Sequence, residues 1–494
     1  AGVPAGASRP VTLVLKGGVL PERESLLFML SCGESRAAIA VTTNGPPLPG
    51  TFAVDPSEGS ELTTQFSLAA SSWTDSDLPL TYQFGFYTAT TGEALVLKDR
   101  SEAPLATTTL ASGVSQSNYA VVCYTQVFDS LGAVSLVTAA VTVSPASDAL
   151  QLVRSSLTET SGSAEQMKNT IVLASAVLNS VSCTNAPSTD CAALNREPCS
   201  KVTDTCGGCL PGTVGERGHK NSACMDTTLA ASWAATRRLS TQSCAADSDC
   251  GMWETCAKNS TSGECAVAPK KCSDGCSDHG ECVAINVNSW KPVAECAVND
   301  PSCDAICRCD EGFGGRTCNV TTQYLQWRQG VRREFIQGLF TVLTTDDVNL
   351  NSVATWTGSL SALTQDAYEL SADSIADLAI AAVSILSIAT QVPSFTYESA
   401  LGVLSAVNAA SSAGAQTNAS AAVDAVLAAL EIFSDFAAAQ RATGEASDGY
   451  WYDNFRLHST SFLASGNSSV DITVPSTGLE ETLGIMATTL SLMS

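Results

Sequence analysis

Apolar and polar residues alternate along the first part of this chain, and later recur at three- and four-residue steps. Val11 to Leu15, Leu26 to Leu30 and Ala37 to Thr42 are short β-prone runs separated by glycine and proline. The turn-rich stretch Asn44-Gly-Pro-Pro-Leu-Pro-Gly50 then predicts a break between two β modules. Beyond it, Leu62-x-x-x-Phe66-x-Leu68, Leu80-x-Tyr82-x-Phe84-x-Phe86, Tyr119-x-Val121-x-Cys123 and Val134-x-Leu136-x-Thr138 keep a period of two. That period predicts a β-sandwich with one buried face per sheet. Asp129-Ser-Leu-Gly132 reads as a hairpin turn between the last two runs.

From Asp148 the period becomes helical, with Leu150, Val153, Leu157, Met167, Ile171, Ala174 and Leu178 on one stripe. It stops at Cys183 and resumes at Tyr324. Val331, Phe335, Leu339 and Leu343 predict one helix, and Ile375, Leu378, Ala382, Ile385 and Ala389 another. Leu401, Leu404 and Val407 predict a third. Val423, Leu427, Leu430 and Phe433 predict a fourth, with Asn418 or Ser420 as N-cap and Gly414 and Gly444 as brackets. The apolar run Leu378 to Val392 is short of the roughly 20 residues that cross a bilayer, and Asp377 precedes it. We read it as a buried bundle helix, so no membrane span is expected within these residues. The start at Ala1, without a basic and apolar leader, is expected of a mature chain or a fragment.

What interrupts the helical pattern is cysteine. Of the 20 cysteines, all but Cys32 and Cys123 lie between Cys183 and Cys318. Such density implies an oxidising compartment, because cytosolic glutathione keeps thiols reduced. The block is expected to be an insertion within a helical domain, projecting from it. Four N-glycosylation sequons agree with that compartment, at Asn259, Asn319, Asn418 and Asn467. The net charge of −24 argues against nucleic acid, whose binding needs clustered Lys and Arg. Cys244, Cys250, Cys256 and Cys265 form a four-cysteine unit expected to cross as Cys244–Cys256 and Cys250–Cys265. Cys183, Cys191, Cys199, Cys206, Cys209 and Cys224 allow fifteen pairings; Cys209–Cys224 is favoured and the others stay open. Cys32 and Cys123 either pair across the sandwich or leave Cys123 as a core residue.

Chemistry is sparse. His219, His279 and His458 are the 3 histidines, and no HExxH, G-x-S-x-G or phosphate-binding loop is present. Cys206-Gly-Gly-Cys209 could be a redox pair, or join Cys307 and Cys309 around zinc. Two glycines disfavour the first, and an oxidising space the second. Asp75 and Asp77 could hold a cation, but an Asx-type turn beside Trp73 is the simpler reading. No catalytic residue, metal or cofactor is expected.

Two resemblances sharpen this. Val41-Thr-Thr-Asn-Gly-Pro-Pro-Leu-Pro-Gly50, Pro56-Ser-Glu-Gly59, Phe66-Ser-Leu68, Trp73-Thr-Asp-Ser-Asp-Leu-Pro-Leu-Thr-Tyr82 and Val127-Phe-Asp-Ser-Leu-Gly-Ala133 together resemble the REJ (receptor for egg jelly) module of polycystin-1-like proteins. Relatives carry cysteines near Thr51 and Ala70, where this chain has none. The phrase Leu360-Ser-Ala-Leu-Thr-Gln365 followed by Glu369-Leu-Ser371 is similar to the helical subdomain of a GAIN domain, without the later cleavage motif. Residues Cys272 to Cys318, closing on Gly312-Phe-Gly-Gly-Arg-Thr-Cys318, resemble an EGF module. That resemblance implies Cys272–Cys282, Cys276–Cys307 and Cys309–Cys318, leaving Cys296 and Cys303 to close on each other. Ala268-Pro-Lys-Lys271 stands where calcium-binding EGF modules place carboxylates, so no calcium is expected there.

The expected architecture is a multidomain α+β chain with an Ig/FnIII-like β-sandwich, an all-helical bundle and a disulfide-rich EGF-like insertion. Residues 1–45 would end a preceding β module and 46–145 form the REJ-like sandwich. Residues 146–182 would be the first helix of the GAIN-like subdomain, 183–318 the cysteine-rich insertion with its EGF-like part at 272–318, and 319–445 the remaining helices. Residues 446–494 would begin a further β region. The resemblance implies a non-catalytic scaffold or adhesion segment of a ciliary or flagellar membrane protein, with a polycystin-2-type channel and N-glycans as partners. A secreted subunit of flagellar hairs or of an extracellular coat is the alternative.

Overall fold

The computed structural model describes residues 13–493 except 14, 16–17, 90, 160–162, 237–242, 259–262, 394, 418–422, 443–444, 446–447, 461–468, 475 and 486–488. The protein is mixed α+β. The strand expected at Val11 to Leu15 falls mainly outside the described residues; Leu13 and Leu15, which are described, are exposed and not in a strand. Strands β1 (Ser25–Cys32) and β2 (Ser35–Thr42) form an antiparallel hairpin that pairs with no other described strand. Leu27, Met29, Leu30 and Ile39 are exposed on it. The β module expected over residues 1–45 is therefore, among the described residues, only this hairpin.

Eight strands follow: β3 (Thr51–Asp55), β4 (Glu58–Ser60), β5 (Phe66–Ser71), β6 (Thr81–Tyr87), β7 (Ala94–Ser101), β8 (Leu105–Thr108), β9 (Ala120–Phe128) and β10 (Val134–Ser144). They make a five-stranded sheet, ordered β4-β10-β9-β6-β7, and a three-stranded sheet, ordered β3-β5-β8. Phe66, Leu68 and Ala70 alternate inward from β5 and share a core with Phe84, Phe86, Val121 and Cys123 of the other sheet. The Phe52 and Phe84 rings, 6.2 Å apart, mark the contact between sheets. One expected stripe is reversed. Val134 and Leu136 are exposed, whereas Val137, Val141 and Val143 of the same strand turn to the core. With a side-chain period of two, a shift of one residue exchanges the faces. Cys32 and Cys123 are both unpaired, the first exposed and the second fully buried. Burial pushes the Cys123 thiol up to about 12, so it behaves as a small core residue.

The stretch expected as one helix over 146–182 is two, α1 (Ala149–Glu159) and α2 (Ala164–Leu178). Ser163 starts the second by accepting from the Gln166 amide, as a serine N-cap does. The cysteine-rich block holds only short elements: α3 (Ser188–Ala193), β11 (Thr213–Val214), β12 (Met225–Asp226), α4 (Thr227–Thr236), β13 (Ser243–Cys244), β14 (Glu254–Lys258), β15 (Gly263–Val267), β16 (Gly280–Asn286), β17 (Cys303–Cys309), β18 (Phe313–Gly314) and β19 (Val320–Thr321). Long helices then resume as α5 (Thr322–Thr345), α6 (Leu350–Leu363), α7 (Ala372–Ala389), α8 (Leu401–Thr417) and α9 (Val423–Gln440). The chain closes with β20 (Asp448–Trp451), β21 (Arg456–Ser459), β22 (Ser469–Thr473), α10 (Gly478–Thr482) and β23 (Thr489–Met493).

Helix α7 packs against α5, α6, α8 and α9. By length and composition it could cross a membrane, but half of it is buried in the bundle, including Ile375, Leu378, Ile385 and Leu386. The apolar periodicity did not single out helix α6, although the GAIN resemblance at Leu360 to Gln365 falls on its end. Its stripe, Val353, Trp356, Leu360 and Leu363, is fully buried but interleaved with Ser, Thr and Gly, which lower helix propensity. The reciprocal cap between Asn349 and Ser352 is the signal that could have found it. In α9 the expected stripe is corrected: Val423 and Leu427 are exposed, while Ala429, Phe433, Phe436 and Ala437 are buried. Gly414 lies within α8 rather than at its end. Asn418, Ser420 and Gly444 lie outside the described residues.

Sandwich and bundle share one apolar core that runs from Phe66 in β5 to Ala437 in α9. At their seam α2 and α6 lie on β7. There the Lys168 side chain, 9% exposed, bonds to Asp99 of β7 and lies 2.8 Å from Asp346 at the end of α5. Thr355 of α6 donates to Asp99 at 2.6 Å, and the Trp356 indole to Asp346 at 3.0 Å. Burial alone would lower the Lys168 pKa; hydrogen bonds and charge from the two carboxylates outweigh it, so the ammonium is held above its ordinary value. The contribution of the Lys168 charge is therefore complete at neutral pH and is lost as pH rises through the alkaline range. Lys168→Met would strand two inward-facing carboxylates. We predict a loss of about 3–5 kcal/mol at pH 7, measured by urea denaturation; a change below about 1 kcal/mol would remove Lys168 from this role.

Candidate functional site

The region richest in distinctive chemistry is the cysteine-rich block and its seam with the bundle. It contains nine disulfides among the described residues. Cys272 joins Cys282, Cys276 joins Cys307, Cys309 joins Cys318 and Cys296 joins Cys303. Cys244 joins Cys256 and Cys250 joins Cys265. The first six cysteines pair as Cys183–Cys199, Cys191–Cys206 and Cys209–Cys224. Cys206 and Cys209 thus belong to different bridges, and neither is available as a redox pair or zinc ligand.

The first subunit of the block folds around a buried arginine that sequence reasoning did not single out. Arg196 is 1% exposed, and its guanidinium donates to the carbonyls of Ser222 (2.5 Å), Gly207 (3.0 Å), Glu216 (2.9 Å) and Gly218 (3.1 Å). A planar fork of donors can gather several loop carbonyls that have no strand to pair with. Burial pulls its pKa down and the Glu216 charge acts against that. Nothing in the local pattern distinguishes Arg196 from a surface arginine.

The insertion does not project freely. Its entry and exit meet where Arg328 of α5 donates to the Leu178 carbonyl at 2.6 Å. Arg328 and the fully buried Arg332 both bond to Glu369 beyond α6. Burial would raise the Glu369 pKa, but the two guanidiniums outweigh it and hold the carboxyl below its usual range. Lys201 pairs with Glu93 of the sandwich at 2.9 Å, and Arg217 with Asp453 at 3.0 Å. Leu479 of α10 enters a small core with Val214, Met225, Ala230, Trp253 and Val298. The Trp253 indole donates to the Ala223 carbonyl at 3.1 Å and meets the Trp233 ring edge-on. An insertion expected to stand out from the helices is instead clamped between the sandwich, the bundle and the C-terminal region, because its apolar residues are completed by Leu479.

The other candidate residues are scattered. Asp75 and Asp77 form an Asx turn, with the Asp77 amide donating to Asp75 at 2.9 Å. Tertiary folding adds Asp129 beside them, with possible ligand oxygens all within 4.8 Å. Asp129 already accepts from the Leu131 and Ala133 amides at 2.9 Å each and from Asn44. Thr51 and Ser71, opposite each other in β3 and β5, bring their hydroxyls to 2.7 Å near the positions where the REJ resemblance implies cysteines. Asn319 is exposed, two residues before Thr321, which caps α5. Asn259, Asn418 and Asn467 lie outside the described residues. His279 stacks on Phe313 at 3.8 Å and His458 lies in β21. His219 is set apart, with a buried Nδ1 that finds no hydrogen-bond partner among the described residues. Burial, then the nearby charges of Arg316, Lys201 and Arg196, lower its pKa to about 4.

With this geometry in hand, comparison with known families places the N-terminal part: residues 5–186 match the REJ domain family. The chain therefore carries a REJ domain. The match takes in the β-sandwich together with α1 and α2, a longer stretch than the residues 46–145 expected of the REJ-like sandwich, and ends just after Cys183 opens the disulfide block. No curated protein matches the chain.

Two outcomes follow from the block. In the loop-closure description a bridge stabilises more when it closes a longer loop, giving roughly 3–4 kcal/mol for Cys276–Cys307 and roughly 2 for Cys296–Cys303; their separations are 31 and 7 residues. Paired serine variants should rank in that order on chemical denaturation, and a reversed order would count against the assignment. His219 should make stability depend on pH in a defined window. Its folded pKa of about 4 lies below the ~6.5 of the unfolded chain. The unfolded state thus takes up the proton first, and stability falls as pH drops from about 6.5 to about 4. His219→Gln should flatten that part of the stability profile; an unchanged slope would contradict its buried, neutral state.

Proposed function

We propose that this chain is a non-catalytic extracellular scaffold, a segment of a polycystin-1-like ciliary or flagellar membrane protein that passes mechanical load to a polycystin-2-type channel. The observation that carries this reading is the single apolar core shared by sandwich and bundle and closed by Lys168 at the seam. Independent modules on a string yield one at a time under tension, whereas elements sharing a core resist together. The nine bridges support an extracellular address, and the clamped block ties the C-terminal region to the same body. In this reading the sandwich is of the Ig/FnIII type and the helices correspond to the first half of a GAIN domain.

Single-molecule pulling through handles at the two ends tests the load-bearing role. The sandwich and helices should release in one event in the wild-type chain, and in two events in Lys168→Met. Early, separate release of the sandwich in the wild type would sink the proposal.

A further inference from the structure

Twenty-five basic residues are spread over an acidic chain, yet several converge where the cysteine-rich block faces the bundle. A cleft of about 260 Å³ opens there, lined by Trp290, His219, Glu216 and Arg316 from the block and by Tyr368 from the bundle side. Two neighbouring pairs cancel their own charge, Lys220 with Asp304 at 2.8 Å and Arg217 with Asp453 at 3.0 Å. A third cation of the lining, Lys270, is held by the Asp300 and Cys303 carbonyls at 2.8 and 2.7 Å, and only Arg316 is left without a polar partner among the described residues. Its guanidinium lies 4.9 Å from the centre of the Tyr368 ring, and among the described residues it has neither a hydrogen bond nor a carboxylate partner. The ring holds the cation in place and leaves its N–H edges unused.

The same cleft carries buried polar atoms with nothing to bond. Glu216 is 4% exposed, and its Oε2 has no partner among the described residues; neither has His219 Nδ1. Buried groups of this kind are ordinarily satisfied, and these two belong to residues that line one cleft. Trp290 adds a third anomaly. It holds a φ of +55°, in the left-handed region that bulky side chains avoid, at the tip of the excursion between β16 and β17. Strain of this sort tends to persist where it positions a side chain for binding.

These features ask for one kind of ligand. A bare anion would suit Arg316 but meets Glu216, and offers no donor to it. A bare cation meets Arg316, and an apolar molecule satisfies none of the polar atoms. A polyhydroxy ring bearing a carboxylate answers all of them, and the cleft is smaller than the ~300–1,000 Å³ typical of drug-sized sites.

We propose that this cleft binds one acidic sugar unit, a hexuronate, with its ring face on Trp290, its hydroxyls donating to Glu216 and His219, and its carboxylate on Arg316. The proposal requires the Glu216 and His219 side chains to turn on binding, because their unpaired atoms are buried in the free chain. All four contacts come from the block, and the bundle takes part through Tyr368, whose ring holds Arg316. The proposal is independent of the load-bearing role and stands or falls without it.

Calorimetric titration of the full chain with glucuronate tests it, with glucose and acetate as controls. Glucuronate should bind one-to-one with a dissociation constant in the millimolar range, about tenfold tighter than either control, since each lacks half of the recognised chemistry. Arg316→Ala should abolish the preference for glucuronate over glucose, and Trp290→Ala should weaken both sugars about fivefold or more. Thermal melts of the variants report folding, and Arg316→Gln and Trp290→Leu serve if either alanine variant fails to fold. Absence of saturable glucuronate binding would overturn the proposal. So would acetate binding equally well, or affinity unchanged in the Trp290 variants.

Discussion

One buried ammonium holds the two halves of this molecule in register. Lys168 reaches from α2 to Asp99 in the sandwich and Asp346 at the end of α5, and both carboxylates are further tied to α6 through Thr355 and Trp356. Four elements from distant parts of the chain therefore meet at a single charge. A charge taken out of water is costly unless its partners are in place, so the node tolerates only the arrangement in which sheet and helices are correctly docked. The apolar core around it supplies most of the driving force, and the node adds a directional constraint to it.

The cysteine-rich block solves the same problem with different means. It is poor in buried apolar residues, and its own core holds little beyond Trp253, Val214, Met225 and their neighbours. Covalent bridges and the carbonyl-gathering guanidinium of Arg196 replace the missing area. Its docking repeats the theme of the seam, since Leu479 completes its core from outside and Arg217 and Lys201 pair with residues of other regions. The stiffness of the block is therefore passed on to its surroundings. The acidic chain concentrates basic groups at this junction, and there polar atoms remain with unmet hydrogen-bonding capacity.

Local periodicity was enough to identify much of the secondary structure, because burial on one side imposes it directly. Phe66 and Leu68 in β5, Phe84 and Phe86 in β6, and Val331, Phe335 and Leu339 in α5 all lie on buried faces. It failed where the cue was weak or two-sided. Strand β10 has apolar residues on both faces, so the choice between Leu136 and Val137 could not be made locally. Helix α6 hid its stripe among serines and threonines. Strands β3, β7 and β8 are short or rich in polar residues, and pairing rather than pattern makes them strands.

Residue types and their spacing, acting alone, determined the α+β character, the oxidising setting and the interruption of helices by cysteines, since each depends on chemistry within a few residues. The tertiary structure decided the rest. It selected one of fifteen pairings for the first six cysteines, buried Arg196, brought Asp129 to Asp75, and turned an apparent projection into a clamped body. It also fused sandwich and bundle into one core. The reason is physical: a buried charge or an unfinished apolar cluster acquires its meaning from the partner that reaches it, and those partners, Lys168 with Asp99 and Asp346 or Val214 with Leu479, lie far apart along the chain.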